Sequence, residues 1–207
     1  MANKYLAPLI LAYGSLIGNT EAKVKTSRKQ YVKYQSGLKL EVVTNPNDKY
    51  CPIKYFKDNK NTNKLVRVNP SDLDKKVSEH FEVKEFARID QPSYVPEEYK
   101  QTVNGEDYFR CIRLNPKLLS YLEKTRKVTG KLEVIHGYRP PNYNSKVEGA
   151  KHSTHPNGNA ADTKYTLKDK SKKVRKRIDE IFADEGLGIG PTVTHFDVRG
   201  KRARWFY

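Results

Sequence analysis

The segment Ser153-Thr154-His155-Pro156-Asn157-Gly158-Asn159-Ala160-Ala161-Asp162 sets an imidazole and a carboxylate seven positions apart, joined by a turn of small residues. A later segment, Thr194-His195-Phe196-Asp197-Val198-Arg199, supplies a second imidazole and a second carboxylate. Two imidazoles and one carboxylate are a common ligand set for a catalytic zinc ion, which keeps its fourth position open to water. A thiolate zinc site is excluded, because the two cysteines, Cys51 and Cys111, form no Cys-x-x-Cys pair. A lone histidine is more often a satisfied structural residue, so the inference rests on the two segments together.

The elements around these residues must bring them to one point. Ala160 to Tyr165 is expected as a strand with Ala160 and Asp162 on one face, where the small Ala160 leaves room for an ion. Thr192 to Val198 is expected as the next strand. Its His195 and Asp197 share a face, while Phe196 and Val198 point into the core. His155 lies on the preceding loop, where Gly158 permits a tight return. Upstream, Asn115 and Pro116 open a helix as N-cap and first helical residue. Leu118, Leu119, Leu122 and Val128 form its apolar face, and Gly130 ends it. A strand at Leu132 to Ile135 leads into His136-Gly137-Tyr138-Arg139-Pro140-Pro141, which puts Arg139 in a turn at the end of a buried strand. Asn142 to Ala150 reads as a short helix or turn. Asp169 to Glu185 reads as a basic amphipathic helix with Val174, Ile178, Ile181 and Phe182 inward and Gly186 as its stop. Gly188-Ile189-Gly190-Pro191 reads as a turn, and Ala203 to Tyr207 as the last strand.

Residues 1–75 read as a small, basic, β-rich module, with 14 Lys and Arg against 6 Asp and Glu. Leu38 to Val43, Ile53 to Phe56 and Leu65 to Val68 are its strand candidates. Between Lys23 and Lys39, basic residues alternate with Tyr31 and Tyr34, a pattern able to track a nucleic-acid strand or a glycan. No recognition motif accompanies it, so a solvated strand face is the plainer reading and a nucleic-acid partner is not expected. Tyr5 to Gly18 is apolar like a short signal-peptide core, but Pro8 and Gly14 interrupt it, and a buried segment is preferred. No run reaches membrane-spanning length. The expected architecture is α+β: this module, then residues 76–207 as a small antiparallel sheet flanked by helices and carrying the zinc site. His80 is expected to be structural. Cys51 and Cys111 either pair in an oxidising compartment or stay as buried thiols.

The bulk composition narrows the partners. The chain is 11% aromatic, too rich for a disordered one. Its net charge of +16 fits an anionic partner, whether nucleic acid, a cell-wall polymer or a membrane surface. A basic surface that serves only solubility fits equally well.

The two site segments, together with His136-Gly137-Tyr138-Arg139-Pro140-Pro141-Asn142-Tyr143-Asn144 and His195-Phe196-Asp197-Val198-Arg199-Gly200, resemble the zinc D-alanyl-D-alanine carboxypeptidase family. That family includes D-Ala-D-Ala dipeptidases and phage L-alanyl-D-glutamate endopeptidases, and shares its fold with the hedgehog signalling domain. Ser78 to Phe86 resembles the opening of one cell-wall branch, and Ala203-Arg204-Trp205 fits its end. The resemblance covers about residues 78–207 and none of 1–75. It implies His155, Asp162 and His195 as zinc ligands. It implies Arg139 as the cation that steadies a substrate carbonyl or carboxylate, and Ser153, Tyr138 and His136 on the substrate side. The dipeptidase and endopeptidase branches carry a general-base Glu three residues before the last His, where this chain has Thr192. Asp197 is then either the base or the group that orients a ligand. His136 stands where the family usually has Ser, and His152 is also unusual and expected in solvent.

These implications give a peptidoglycan peptidase, a D,D-carboxypeptidase or a cross-link endopeptidase, working at the cell wall, in the periplasm or outside the cell. A phage lysin or a virion component docked to other virion proteins fits the same pattern, with residues 1–75 as the wall-binding or virion-docking piece. The alternative is a structural or binding protein that keeps zinc for stability. A nucleic-acid-binding protein on a borrowed fold is the weakest reading.

Overall fold

The computed structural model describes residues 29–56, 63–167 and 170–207. The apolar stretch from Tyr5 to Gly18 and the start of the basic run at Lys23 lie outside the described residues, as does most of the loop from Asp58 to Asn63. No helix of the described residues is long and apolar enough to cross a membrane.

In chain order the elements are β1 (Tyr31–Lys33), β2 (Lys39–Glu41), α1 (Ile53–Phe56), β3 (Leu65–Arg67), α2 (Val83–Ala87), β4 (Lys100–Val103), β5 (Glu106–Phe109) and β6 (Cys111–Arg113). There follow α3 (Pro116–Thr129), β7 (Val134–His136), α4 (Pro141–Lys146), β8 (Ala160–Thr163), α5 (Lys172–Ile181), β9 (Gly186–Ile189), β10 (Thr194–Asp197) and β11 (Ala203–Phe206). The largest sheet has the order β11-β9-β10-β8-β7. Its strands run antiparallel except at one edge, where β11 lies parallel to β9.

The helix over α3 has the expected ends. The Asn115 side chain accepts from the Lys117 amide, Pro116 opens the first turn, and Gly130 closes it at φ 79°. Leu118, Leu119 and Leu122 are fully buried beneath it. α5 is shorter than the expected Asp169 to Glu185. Ser171 caps it by accepting from the Val174 amide, and Phe182 already leaves the helix.

Two segments differ from expectation in type. Ile53–Phe56 is a helical turn, with the Tyr55 and Phe56 amides on the Pro52 carbonyl. Four residues are too few for periodicity to separate the two states. Gly186–Ile189 is the second strand of the sheet and not the lead-in to a turn. Its glycines answer to packing: a Cβ on Gly186 would lie 2.2 Å from Asp197 Oδ2, and one on Gly188 would lie 2.5 Å from the Trp205 ring.

Packing is continuous across residue 75. β3 pairs with β6, Cys51 forms a disulfide with Cys111, and one hydrophobic cluster runs from Tyr34 to Val198. The reason is geometric. The β1–β2 hairpin and β3 cannot enclose a core by themselves, and β3 continues its pairing on β6.

Candidate metal centre

Strand register assembles the site. His195 on β10 lies opposite Asp162 on β8, and His136 on β7 lies opposite Asp162 from the other side. On the far side Gly188 faces His195, and Trp205 faces Gly188. One row of side chains thus crosses all five strands. Gly188 has no side chain, so the Trp205 indole reaches His195, with ring centroids 5.2 Å apart.

His155 joins from a 3-10 turn, His155–Asn157, that precedes β8. Gly158 follows at φ 66°, a left-handed conformation, and packs so tightly on the Arg113 carbonyl that a Cβ would sit 2.3 Å away. Three asparagines fasten this loop. Asn63 Nδ2 donates to the Asn157 carbonyl and to Asn159 Oδ1, each at 2.7 Å, and Asn115 Nδ2 donates to the same Asn159 oxygen at 2.9 Å.

Each ligand candidate is aimed by a bond on its outer side. His155 Nδ1 lies 2.6 Å from the Gly137 carbonyl oxygen, which leaves Nε2 facing Asp162 Oδ2 at 3.4 Å. His195 Nε2 lies 3.0 Å from Asp197 Oδ2, which leaves Nδ1 facing Asp162 Oδ1 at 2.7 Å. Asp162 Oδ2 is also met by Arg139 Nη2 at 3.0 Å and by His136 Nδ1 at 3.2 Å. His136 Nε2 in turn lies 3.1 Å from Asp90 Oδ2. One ligand atom from each of His155, Asp162 and His195 falls within 4.8 Å of the others.

The electrostatics suit a cation at that point. Burial lowers the pKa of His155 and favours the neutral ring a metal requires. Burial opposes ionisation of Asp162, yet His155, His136 and His195 together hold its carboxyl well below the ordinary value. Burial also works against a charged His195, but its bonds to Asp162 and Asp197 outweigh it and raise the pKa. The site therefore stabilises extra positive charge between buried carboxylates. With three donors of the right type converging there, the residues fit a zinc ion.

The centre opens into a cavity of about 640 Å³ whose lining includes His136, Arg139, Ser153, His155, Asp162 and His195. Lys151, His152, Arg199, Trp205 and Tyr207 also line it. Two expected site residues lie elsewhere. Tyr138 is buried, with its ring centroid 6.4 Å from that of Phe56 and 6.1 Å from that of Phe109. It is a core residue, because its neighbours in the chain, Gly137 and Arg139, already occupy the site side. Asp197 is fully buried and lies behind His195, outside the cavity lining. Its carboxyl is held at about 2, against the effect of burial, by His195 and by Arg199, whose Nε donates to Oδ1 at 2.8 Å. His152, expected in solvent, is exposed but on the cavity wall.

Asp90, Trp205 and Tyr207 were not legible as site residues. Arg199 had a signal, since it stands two residues beyond Asp197 on an extended chain. A second cluster with metal-binding residue types, Glu79, His80 and Glu123, has a structural explanation. Glu123 Oε1 accepts from Ser78 Oγ and the His80 amide, and Oε2 faces His80 Nδ1 at 2.8 Å. That carboxylate fastens the segment before α2 onto α3, which gives His80 the structural role expected of it.

No curated protein and no solved structure matches the chain. The model of the peptidase M15 family matches residues 78–197, a span that holds all three ligand candidates and Arg139. The chain belongs to the peptidase M15 family, the zinc D-alanyl-D-alanine carboxypeptidase-like peptidases.

Proposed function

We propose that this protein is a zinc-dependent peptidase that hydrolyses peptide bonds of the peptidoglycan stem peptide or its cross-links. The observation that carries the reading is the cavity floor, where His155 Nε2, Asp162 and His195 Nδ1 converge while their outer atoms are tied down. When bound, zinc would polarise the scissile carbonyl and lower the pKa of a water molecule. Arg139, with its guanidinium on Asp162 at the cavity wall, steadies the substrate's carbonyl or carboxylate. Ser153 lines the same wall beside the substrate. His136, backed by Asp90, and Asp197, backed by Arg199, are positioning residues that fix Asp162 and His195. Proton transfer is assigned to the cavity wall instead, where His152 is an exposed imidazole with no hydrogen bond or ion pair among the described residues. The cations around the cavity suit the free carboxylates of a stem peptide. We place the protein's work at the wall, outside the reducing cytoplasm, which agrees with the Cys51–Cys111 disulfide.

A second reading, a zinc-stabilised binding protein without turnover, draws on one observation: among the described residues, Asp162 is the sole carboxylate in the cavity lining. Digestion of purified peptidoglycan, analysed by mass spectrometry, separates the two. Released D-Ala marks a carboxypeptidase and split cross-links mark an endopeptidase. A zinc-loaded protein that leaves every wall type intact would establish the binding reading.

A further inference from the structure

The first two turns of α5 carry Lys172, Lys173, Arg175, Lys176 and Arg177, all exposed. This arrangement is electrostatically unfavourable twice over. The charges sit toward the positive end of the helix, with no acidic residue in the first turn. Lys172 and Lys176, and Lys173 and Arg177, are like-charged neighbours four residues apart. Among the described residues only Arg177 of the five has an ion-pair partner, Glu180 at 3.0 Å. Glutamine would serve the helix about as well, so folding does not explain the choice.

The basic face borders a groove of about 360 Å³ lined by Arg175, Lys176, Leu167, Leu187, Ile189 and Phe206, among others. Phe206 is 79% exposed on β11, an edge strand of the sheet. Trp205, its neighbour, borders both this groove and the cavity of the metal centre. A polymer lying along β11 would therefore meet cations on one flank and the metal cavity on the other.

We propose that α5 and the adjoining groove bind an anionic wall polymer with repeating phosphodiester groups and so hold the peptidase on its substrate. The proposal rests on the peptidoglycan reading above. From Lys172 to Arg177 the helix rises roughly 7.5 Å. Five cations over that length match a repeating anion and exceed the few carboxylates of a stem peptide. The apolar groove accepts the carbon backbone between phosphates, and the exposed Phe206 offers a ring for a sugar face.

The test uses the full chain and a variant with Lys172→Gln, Lys173→Gln, Arg175→Gln and Lys176→Gln. Co-sedimentation is measured with sacculi that retain their phosphodiester polymer and with the same sacculi stripped of it, over a salt series. Turnover of a small soluble muropeptide is measured alongside. We expect wild-type binding to fall steeply with salt, as release of condensed counterions requires. We expect at least tenfold weaker binding for the variant, and for wild type on stripped sacculi, with muropeptide turnover within twofold. A Lys172→Arg, Lys173→Arg control should bind like wild type. Equal binding to stripped and unstripped sacculi would overturn the proposal, as would tighter binding to duplex DNA at the same salt. Polymer binding lost only in the variant, with no muropeptide turnover by either protein, would support the docking face and reject the peptidase reading.

Discussion

The three inward-facing donors of the candidate metal centre are each aimed by a partner outside the trio. Gly137 turns His155, Asp197 turns His195, and His136 with Arg139 fixes Asp162. Partners of this kind typically contribute 10–100-fold to metal affinity or activity. Asp90→Ala should therefore weaken zinc binding about 10-fold through His136, as read by competition with a chromophoric chelator. Asp197→Asn should weaken it by about 10–100-fold, because an amide cannot hold the His195 ring as a carboxylate does. An Asp197→Asn protein with wild-type zinc affinity but no turnover would instead make Asp197 the base. The convergence of His155, Asp162 and His195 was legible because a histidine, a turn glycine and an aspartate stood in one short string. Asp90 was not, because its contact with His136 exists only once α2 and β7 are packed. The core position of Tyr138 was not legible for a related reason: a motif shows which residues travel together and not which of them faces inward.

At the scale of elements, the row Trp205, Gly188, His195, Asp162 and His136 requires five strands in one register. Gly188→Ala would drive a methyl into the Trp205 ring. It should cost about 1–3 kcal/mol in stability by overpacking, measurable by denaturant unfolding, and it should perturb the indole fluorescence beside His195. Glu123 provides a second check away from the candidate metal centre. Burial opposes its ionisation, but bonds from Ser78 and His80 prevail and hold its pKa below 4.5. A carboxyl with a depressed folded-state pKa contributes stability that is complete above the unfolded value and is lost as pH falls through the folded one. Glu123→Gln should thus lower stability by about 1–3 kcal/mol at neutral pH and flatten the decline on acidification below 4.5. Helix ends such as Asn115, Pro116 and Gly130 could be read from sequence because caps are local chemistry. β9 could not, because its glycines record contacts with Asp197 and Trp205 that lie outside the segment.

For the whole molecule, residues from Tyr34 to Val198 share one core, and the Cys51–Cys111 bond closes a loop with a sequence separation of 60. Removing that bond with paired Cys51→Ser and Cys111→Ser should cost about 2–4 kcal/mol, while leaving the zinc site intact in the folded fraction. Composition indicated a basic, folded, aromatic chain, but it did not show that β3 would find its partner in β6. Strand pairing between distant segments leaves no local mark. In the proposed function His155, Asp162 and His195 hold one zinc ion, and hydrolysis of wall peptides depends on it. The direct measurement is a zinc titration of chelator-stripped protein, with metal content and peptidoglycan product followed on the same samples, for wild type and His155→Ala. Product release should rise in proportion to zinc up to one ion per chain, and His155→Ala should neither retain zinc nor release product. Full product release from metal-stripped protein, or from His155→Ala, would contradict it.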